Sequence, residues 1–231
     1  EIYTLSLHDA LPIFGRFDRV IDVWGADHHG YIPRMKAGVE AIGKSADDLD
    51  VLLIQLVNLM RDGHPVAMST RSGEFVMLKE VLDEVGVDAT RFFFLMRRSD
   101  SPLDFDLELA KKQGSDNPVY YVQYAHARIC SILREWEARG GDMSRLGPDG
   151  PSIPANLFED EAARALADCL ALFPREVENA SRDLAPQMLT AYAGLLAGAF
   201  HSFYNTNRIL GEPEAVVCQR SEERRVGKEC R

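Results

Sequence analysis

Cysteine is scarce in this 231-residue sequence, and no run of apolar residues is long. Cys130, Cys169 and Cys218 each occur singly within apolar helical patterns, without the C-x-x-C spacing of metal or disulfide motifs. This pattern argues against a disulfide scaffold and predicts buried free thiols in a reducing cytoplasm. No apolar stretch approaches the roughly 20 residues of a membrane-spanning helix, so we expect no association with a membrane.

Positively charged residues are fewer than negatively charged ones. The sequence has 26 lysines and arginines against 36 aspartates and glutamates, which gives a formal net charge of -10. Non-specific nucleic-acid binding depends on neutralising many phosphates, so this composition argues against it. Specific binding through a local basic face is compatible with the same total charge.

The two ends of the sequence are related at the level of DNA. Residues 3–13 and residues 220–230 can be encoded by strands that are reverse complements of each other, a match that is rare by chance. We therefore expect residues 1–13 and 220–231 to derive from sequencing-library adapter and to lie outside the natural protein. The basic run at 220–231 is then not a nucleic-acid tail, and His8 with Asp9 is not a catalytic pair.

The first half of the remaining sequence alternates between strand and helix patterns. An apolar run at 20–24 predicts a strand, apolar residues at helical spacing from Ile32 to Ile42 predict a helix ending at Gly43, and residues 51–57 predict a buried strand. Asp62 and Gly63 then predict a hairpin turn. This order is typical of α/β folds and predicts that residues 14–77 form the C-terminal half of a Rossmann-type nucleotide-binding sheet.

The second half lacks strand patterns and predicts an all-α region. Short helices are expected at 78–85, at 89–97 with Asp88 as N-cap, and at 105–113, forming a connecting region over 78–113. A helical bundle is expected over 114–219. Its helices are predicted at 118–139, at 157–182 with a kink or break at Pro174, and at 186–208, with a loop over 140–154.

A polar turn lies between the first strand and the first helix, at the edge where doubly wound sheets bind nucleotides. Gly25 lets a ligand approach the backbone, Asp27 can accept hydrogen bonds from ribose hydroxyls, and His28 and His29 can stack on a base or donate to phosphate. These residues are candidates for ATP binding. The alternative is a structural turn in which Asp27 caps the helix; no metal site is predicted, because no third ligand lies nearby.

A hydroxyl-rich loop with a central cation covers residues 67–75. Met68, Ser69, Arg71 and Ser72 are candidate catalytic residues, since such a loop can fold over a polyphosphate and stabilise the charge that develops as pyrophosphate leaves. Composition alone favours the alternative, a solvated connector.

Tyr121, Tyr124 and Arg128 are spaced three and four residues apart and therefore share one helix face. Exposed aromatic side chains beside an arginine can stack unpaired bases, which is how single-stranded RNA is commonly recognised. The alternative is core packing with the phenol hydroxyls at the rim, and we expect it to hold for at least one of the tyrosines.

In their order and connections, these segments resemble the arginyl-tRNA synthetases, class I aminoacyl-tRNA synthetases, of the bacterial type. The most specific stretches are residues 24–31, 68–76, 87–92 and 116–132. The resemblance implies a Rossmann catalytic core joined to an α-helical anticodon-binding domain, and the reaction of ATP, L-arginine and tRNA(Arg) to give arginyl-tRNA, AMP and diphosphate. It places the turn at Asp27 against ATP, residues 68–72 in the mobile phosphate-binding loop, and Tyr121, Tyr124 and Arg128 against tRNA.

The resemblance also implies Mg²⁺ as counter-ion of ATP, a monomeric parent protein and a cytoplasmic location. One departure is Ala67, which stands where the phosphate-binding loop of the class begins with lysine, so a compensating cation is expected elsewhere. The family's first ATP motif and arginine pocket are expected to precede residue 14, which predicts an isolated chain without activity. Two alternatives are a tRNA-binding helical module without catalysis and another class I synthetase such as the cysteinyl enzyme.

Overall fold

The structure is a computed structural model, which describes residues 17–66, 76–142 and 159–207 together with Ile209. The chain divides into two compact units. The first comprises Glu1–Ala67 and Arg97–Phe105, and the second comprises Met68–Met96 and Asp106–Arg231. No helix among the described residues is both long enough and apolar enough to cross a membrane.

The first unit contains the predicted strand, helix and strand. Strand β1 (Val20–Gly25) leads through a 3-10 helix (Ala26–Tyr31) into α1 (Ile32–Ala41), and β2 (Leu49–Ile54) follows. β1 and β2 pair in parallel, as the α/β prediction requires. Buried Val39 of α1 and Leu49 of β2 form the small core between helix and strands. Gly43, with φ of 82°, ends the helical segment in the left-handed conformation that glycine favours.

A second small sheet in this unit contains the predicted hairpin. Strands β3 (Val57–Arg61) and β4 (His64–Pro65) are antiparallel, and Asp62 and Gly63 between them both have positive φ, as a type I′ turn requires.

A third strand of that sheet was not predicted from the sequence. β5 (Leu103–Asp106) lies beside β3, and the Leu103 amide donates to the carbonyl of Leu56. The predicted helix at 105–113 is therefore wrong at its start. Leu103 and Phe105 are buried and alternate with Asp104 and Asp106, which is the period of a strand, and the helix begins only at Leu107.

The second unit is helical. It contains α2 (Leu78–Val85), α3 (Val87–Met96), α4 (Leu107–Lys111), α5 (Pro118–Ala138), α6 (Glu161–Ala171), α7 (Phe173–Arg182) and α8 (Gln187–Thr206). The break predicted at Pro174 is confirmed: α6 ends at Ala171, and the proline lies in the first turn of α7, where its missing N–H has no helical partner to lose. Asp88 is not the N-cap of α3, because the helix begins one residue earlier, at Val87.

The core of the helical unit lies between α5, α6 and α8. Ala125 and Ile132 of α5, Leu166 of α6, and Phe200 and Phe203 of α8 are buried against one another. Cys130 and Cys169 are free thiols as predicted, but both are only half-buried. Helical periodicity brings an apolar face of α5, of α6 and of α8 into this core.

Candidate functional site

The predicted nucleotide-binding turn lies at the carboxyl end of β1. Gly25 ends this strand opposite Ile54 of β2, and the 3-10 helix carries Asp27, His28 and His29. The Asp27 side chain is 71% exposed, and its Oδ2 lies 3.6 Å from Nε2 of His28. His29 directs Nδ1 at the carbonyl of Ala26, 3.1 Å away. The turn therefore presents an accessible carboxylate and an imidazole beside it at one strand end.

Gly25 leaves the carboxylate of Asp27 in its position, and a larger residue would displace it. A Cβ atom at this position would lie 2.6 Å from Oδ1 of Asp27, which is closer than real Cβ contacts allow. The alternative role of Asp27 as a helix cap is wrong, because the N-cap positions of the 3-10 helix and of α1 are Gly25 and Tyr31, neither with a side-chain cap bond. The carboxylate of Asp27 is thus available to a ligand.

Sequence reasoning missed two neighbours of this turn. The Tyr31 ring is 49% exposed, its centroid lies 6.3 Å from that of His28, and the Arg34 guanidinium carbon lies 5.4 Å from it. Tyr31 follows His28 by three residues and Arg34 follows Tyr31 by three, and this helical spacing could have indicated both neighbours. Together they add an aromatic face and a cation to the turn.

The four candidate residues of the phosphate-binding loop, Met68, Ser69, Arg71 and Ser72, lie outside the described residues. Their roles remain predictions.

The second candidate site lies on α5, whose start is fixed by a buried side chain. Oδ1 of Asn117 accepts hydrogen bonds from the amides of Val119 and Tyr120, and its Nδ2 donates to the carbonyls of Ala110 and Lys112. Asn117 is only 2% exposed. The two amide bonds cap the start of α5, and the two carbonyl bonds join it to the end of α4, so Asn117 sets the position of the tyrosines that follow.

Arg128 lies at the centre of this site. Its Nη2 donates to the Tyr124 hydroxyl at 2.9 Å, and its guanidinium carbon lies 4.3 Å from the Tyr124 ring centroid and 4.7 Å from that of Tyr204. The ring of Tyr120 stacks on Tyr124 at 5.9 Å. Arginine and aromatic rings in this arrangement attract one another and present flat surfaces on which a base can stack.

The two tyrosines of the predicted helix face differ in how far they are buried. Tyr121 is half-buried and packs against the helical core, as expected for at least one tyrosine, whereas Tyr124 remains 41% exposed. The structure brings all three predicted residues together at a cavity of about 340 Å³. This cavity is lined by Ser115, Tyr120, Tyr121, Tyr124, Arg128, His201 and Asn205.

His201 and Tyr204 of α8 were missed by sequence reasoning. His201 is 8% exposed and lies between Arg128 and the backbone of Tyr121. Burial lowers the pKa of its imidazole below the usual value, the hydrogen bond to the Tyr121 carbonyl offsets part of this, and the nearby charge of Arg128 lowers the pKa further. A single histidine in an otherwise apolar helix, with a tyrosine three residues later, was the available signal.

Comparisons with known proteins agree with this architecture. The DALR anticodon binding domain family matches residues 122–222, which begin within α5. Among solved structures, a Campylobacter jejuni protein described as an arginyl-tRNA synthetase superposes with a TM-score of 0.79 at 30% identity, over 99% of this chain and 50% of that one. Thermus thermophilus arginyl-tRNA synthetase superposes with a TM-score of 0.68 at 22% identity, over 90% of this chain and 38% of that one, and supports the fold alone.

Curated relatives are more similar in sequence. Arginine–tRNA ligases of Citrifermentans bemidjiense and Syntrophotalea carbinolica are 56% and 57% identical, over 88% and 84% of this chain. The matched regions cover 36% and 34% of those proteins, so the chain spans about a third of the length of these relatives. The shared order of the α/β part and the helical part, together with this identity, places the chain in the arginine–tRNA ligase family.

Proposed function

We propose that the whole protein catalyses the joining of L-arginine to tRNA(Arg), with ATP converted to AMP and diphosphate. The observation that carries this proposal is the 56% identity to an arginine–tRNA ligase over 88% of the chain. The relatives at 50–57% identity are named arginine–tRNA ligases, which leaves the cysteinyl alternative without support. By the same relationship, we expect a monomer that acts in the cytoplasm.

The ATP-binding part of the proposal rests on the turn after β1. The exposed carboxylate of Asp27 suits the hydroxyls of a ribose, and Gly25 leaves room for the nucleotide at the strand end. His28 and His29 would contact the base or a phosphate, while Met68, Ser69, Arg71 and Ser72 would close over the phosphates. Mg²⁺ would accompany ATP as its counter-ion, since it is commonly held by substrate phosphates with one or two carboxylates.

The chemistry proposed for these residues is positioning. The arginine carboxylate attacks the α-phosphate in line with the departing diphosphate, and a tRNA ribose hydroxyl then attacks the carbonyl of arginyl-adenylate and releases AMP. Charge develops on the departing phosphates during the first step. Cationic and hydroxyl groups aimed at them would stabilise the transition state without forming a bond to the protein.

The tRNA-binding part of the proposal rests on the cavity between α5 and α8. Tyr124 is 41% exposed and Arg128 is held against its ring, a combination suited to stacking an unpaired base. Tyr121 would contribute to the wall of the same cavity. This geometry also fits a helical module that binds tRNA without catalysis.

Binding of a fluorescent tRNA(Arg) transcript, followed by anisotropy, tests the tRNA contact. We expect Tyr124→Ala to weaken binding about tenfold, because base stacking on one aromatic side chain is worth roughly 1–3 kcal/mol. Leu195→Ala is the control, since Leu195 is a 69% exposed side chain on α8. Unchanged affinity with a lower melting temperature for Tyr124→Ala would indicate a packing role and contradict the proposal.

A further inference from the structure

The two ring nitrogens of buried His201 face partners that can each act in only one way. Nε2 lies 3.3 Å from the carbonyl oxygen of Tyr121, which can only accept a hydrogen bond. Nδ1 lies 3.3 Å from Nη1 of Arg128, which can only donate one. The partners therefore require a neutral imidazole that carries its proton on Nε2 and offers the lone pair of Nδ1 to the guanidinium.

The guanidinium of Arg128 is oriented by this bond. Nη1 is held by His201 and Nη2 by the Tyr124 hydroxyl, while the guanidinium carbon lies over the rings of Tyr124 and Tyr204. These contacts together hold the cation in its position against the aromatic rings. Without an acceptor at Nδ1, the Tyr124 hydroxyl and the two ring contacts would be the partners left to Arg128 among the described residues.

We propose that His201, as a neutral acceptor, is a positioning residue that holds Arg128 against Tyr124 in the geometry that contacts tRNA, and that acid releases this hold. The proposal rests on the proposed tRNA contact of Tyr124 and Arg128. His201 itself is buried, so it acts through Arg128 and does not contact the RNA.

The charges around His201 determine the effect of acid. From α5 it faces Arg128 and the phenols of Tyr121 and Tyr124, and on α8 the phenol of Tyr204 lies over the same guanidinium. α6 faces this core with apolar side chains, including Ala163 and Leu166. Within the described residues, the cavity lining contains no carboxylate.

Two further helices, α3 and α7, also pack on α8. α3 and α7 contact α8 at Thr190 and Tyr192, respectively, about 13 Å or more from His201 at 1.5 Å rise per residue. Protonation of His201 would therefore place two cations side by side and remove the acceptor of Arg128. Both changes push the guanidinium away from its position over Tyr124.

The first experiment measures the geometry without RNA. In the ¹⁵N-labelled chain, NMR is expected to show the Nε2–H tautomer of His201 near pH 8, and the Arg128 side-chain signals are expected to shift with the same midpoint as His201 titrates. In Arg128→Leu the His201 pKa is expected to rise, because the neighbouring cation is removed. An Nδ1–H tautomer, or Arg128 signals that ignore the titration, would overturn the proposal.

The second experiment measures affinity for a tRNA(Arg) transcript from pH 8 to pH 5.5. In His201→Asn, Oδ1 can take the place of Nδ1 as acceptor, so binding at pH 8 is expected within about threefold of the unsubstituted chain. In His201→Gln the amide reaches the position of Nε2 and leaves no acceptor at Nδ1, so we expect binding about tenfold weaker, the equivalent of one hydrogen bond to a charged group. The unsubstituted chain should lose affinity as its histidine protonates, whereas His201→Asn should lack this loss.

His126→Asn is the matched control, since His126 is an exposed histidine on α5 whose ring contacts Cys130. It should keep both the affinity and the pH profile. Equal affinity of His201→Gln and His201→Asn at pH 8, or tighter binding on acidification, would overturn the proposal. If the unsubstituted chain bound no tRNA at any pH, the proposed tRNA contact would fail, and the NMR titration would still show whether His201 positions Arg128. If the His201 variants do not fold, the NMR titration of the unsubstituted chain still tests the proposal.

Discussion

Replacing Asn117 should show whether this residue is an ordinary helix cap or a junction between two helices. Its Oδ1 accepts from the amides of Val119 and Tyr120, as any N-cap asparagine would. Its Nδ2 also donates to the carbonyls of Ala110 and Lys112, at 3.0 and 2.8 Å. Aspartate would keep the first pair of bonds, because it caps helices as well as asparagine does. It would lose the second pair and face two carbonyl oxygens with a carboxylate.

The expected losses in the free energy of unfolding follow from these hydrogen bonds. Asn117→Ala loses the cap, worth about 1 kcal/mol, and two donors to backbone carbonyls, worth about 1 kcal/mol each, so the helical unit should lose roughly 3 kcal/mol. Asn117→Asp keeps the cap and should still lose at least about 2 kcal/mol, because the site is buried and the bonds to the carbonyls cannot form. A role as a simple cap predicts almost no loss for aspartate.

Urea unfolding followed by tryptophan fluorescence can report on the helical unit alone. The sequence has two tryptophans, Trp24 in the first unit and Trp136 in the second, so a Trp24→Phe background leaves the 7% exposed Trp136 as reporter. Asp160→Asn is the matched control, because Asp160 caps α6 through Oδ1 and asparagine keeps that bond. An Asn117→Asp unfolding free energy within about 0.5 kcal/mol of the background would refute the reasoning.

Three further predictions concern the end of α5, pH and catalysis. Gly141→Ala should destabilise the helical unit by about 1–3 kcal/mol in the same urea assay, because the added methyl group would overlap the indole of Trp136. Gly194→Ala inside α8 is the control: the added methyl group would enter open space, so the substitution should be neutral or stabilising. The pKa of His201 is lowered in the folded state, so on acidification the unfolded chain takes up this proton before the folded chain does. The free energy of unfolding should therefore have its full value above pH 6.5 and fall as the pH drops through the folded pKa. This fall should be smaller in His201→Asn. The isolated chain should not catalyse arginine-dependent exchange of diphosphate into ATP, since it spans 36% of a complete relative; exchange above a no-arginine blank would contradict this.

Local sequence signals predicted much of the fold because the forces involved act over a few residues. Asp62 and Gly63 form the hairpin turn because both adopt positive φ, which few other pairs tolerate. Pro118 starts α5 and Pro174 lies in the first turn of α7 because proline fits only the first turn of a helix. The strand at 103–106 could not be predicted in this way: four residues are too few for a clear period, and its pairing with β3 depends on a partner more than 40 residues away.

The sequence by itself determined which residue types share a face of α5, because helical spacing brings Tyr121, Tyr124 and Arg128 together wherever the helix packs. It could not determine what that face meets. His201 lies 73 residues from Arg128 along the chain, and only the packing of α8 against α5 brings its lone pair to the guanidinium. Tertiary structure decided this contact because burial of the apolar faces sets how the helices pack, and the polar side chains beside them then find partners that no local pattern specifies.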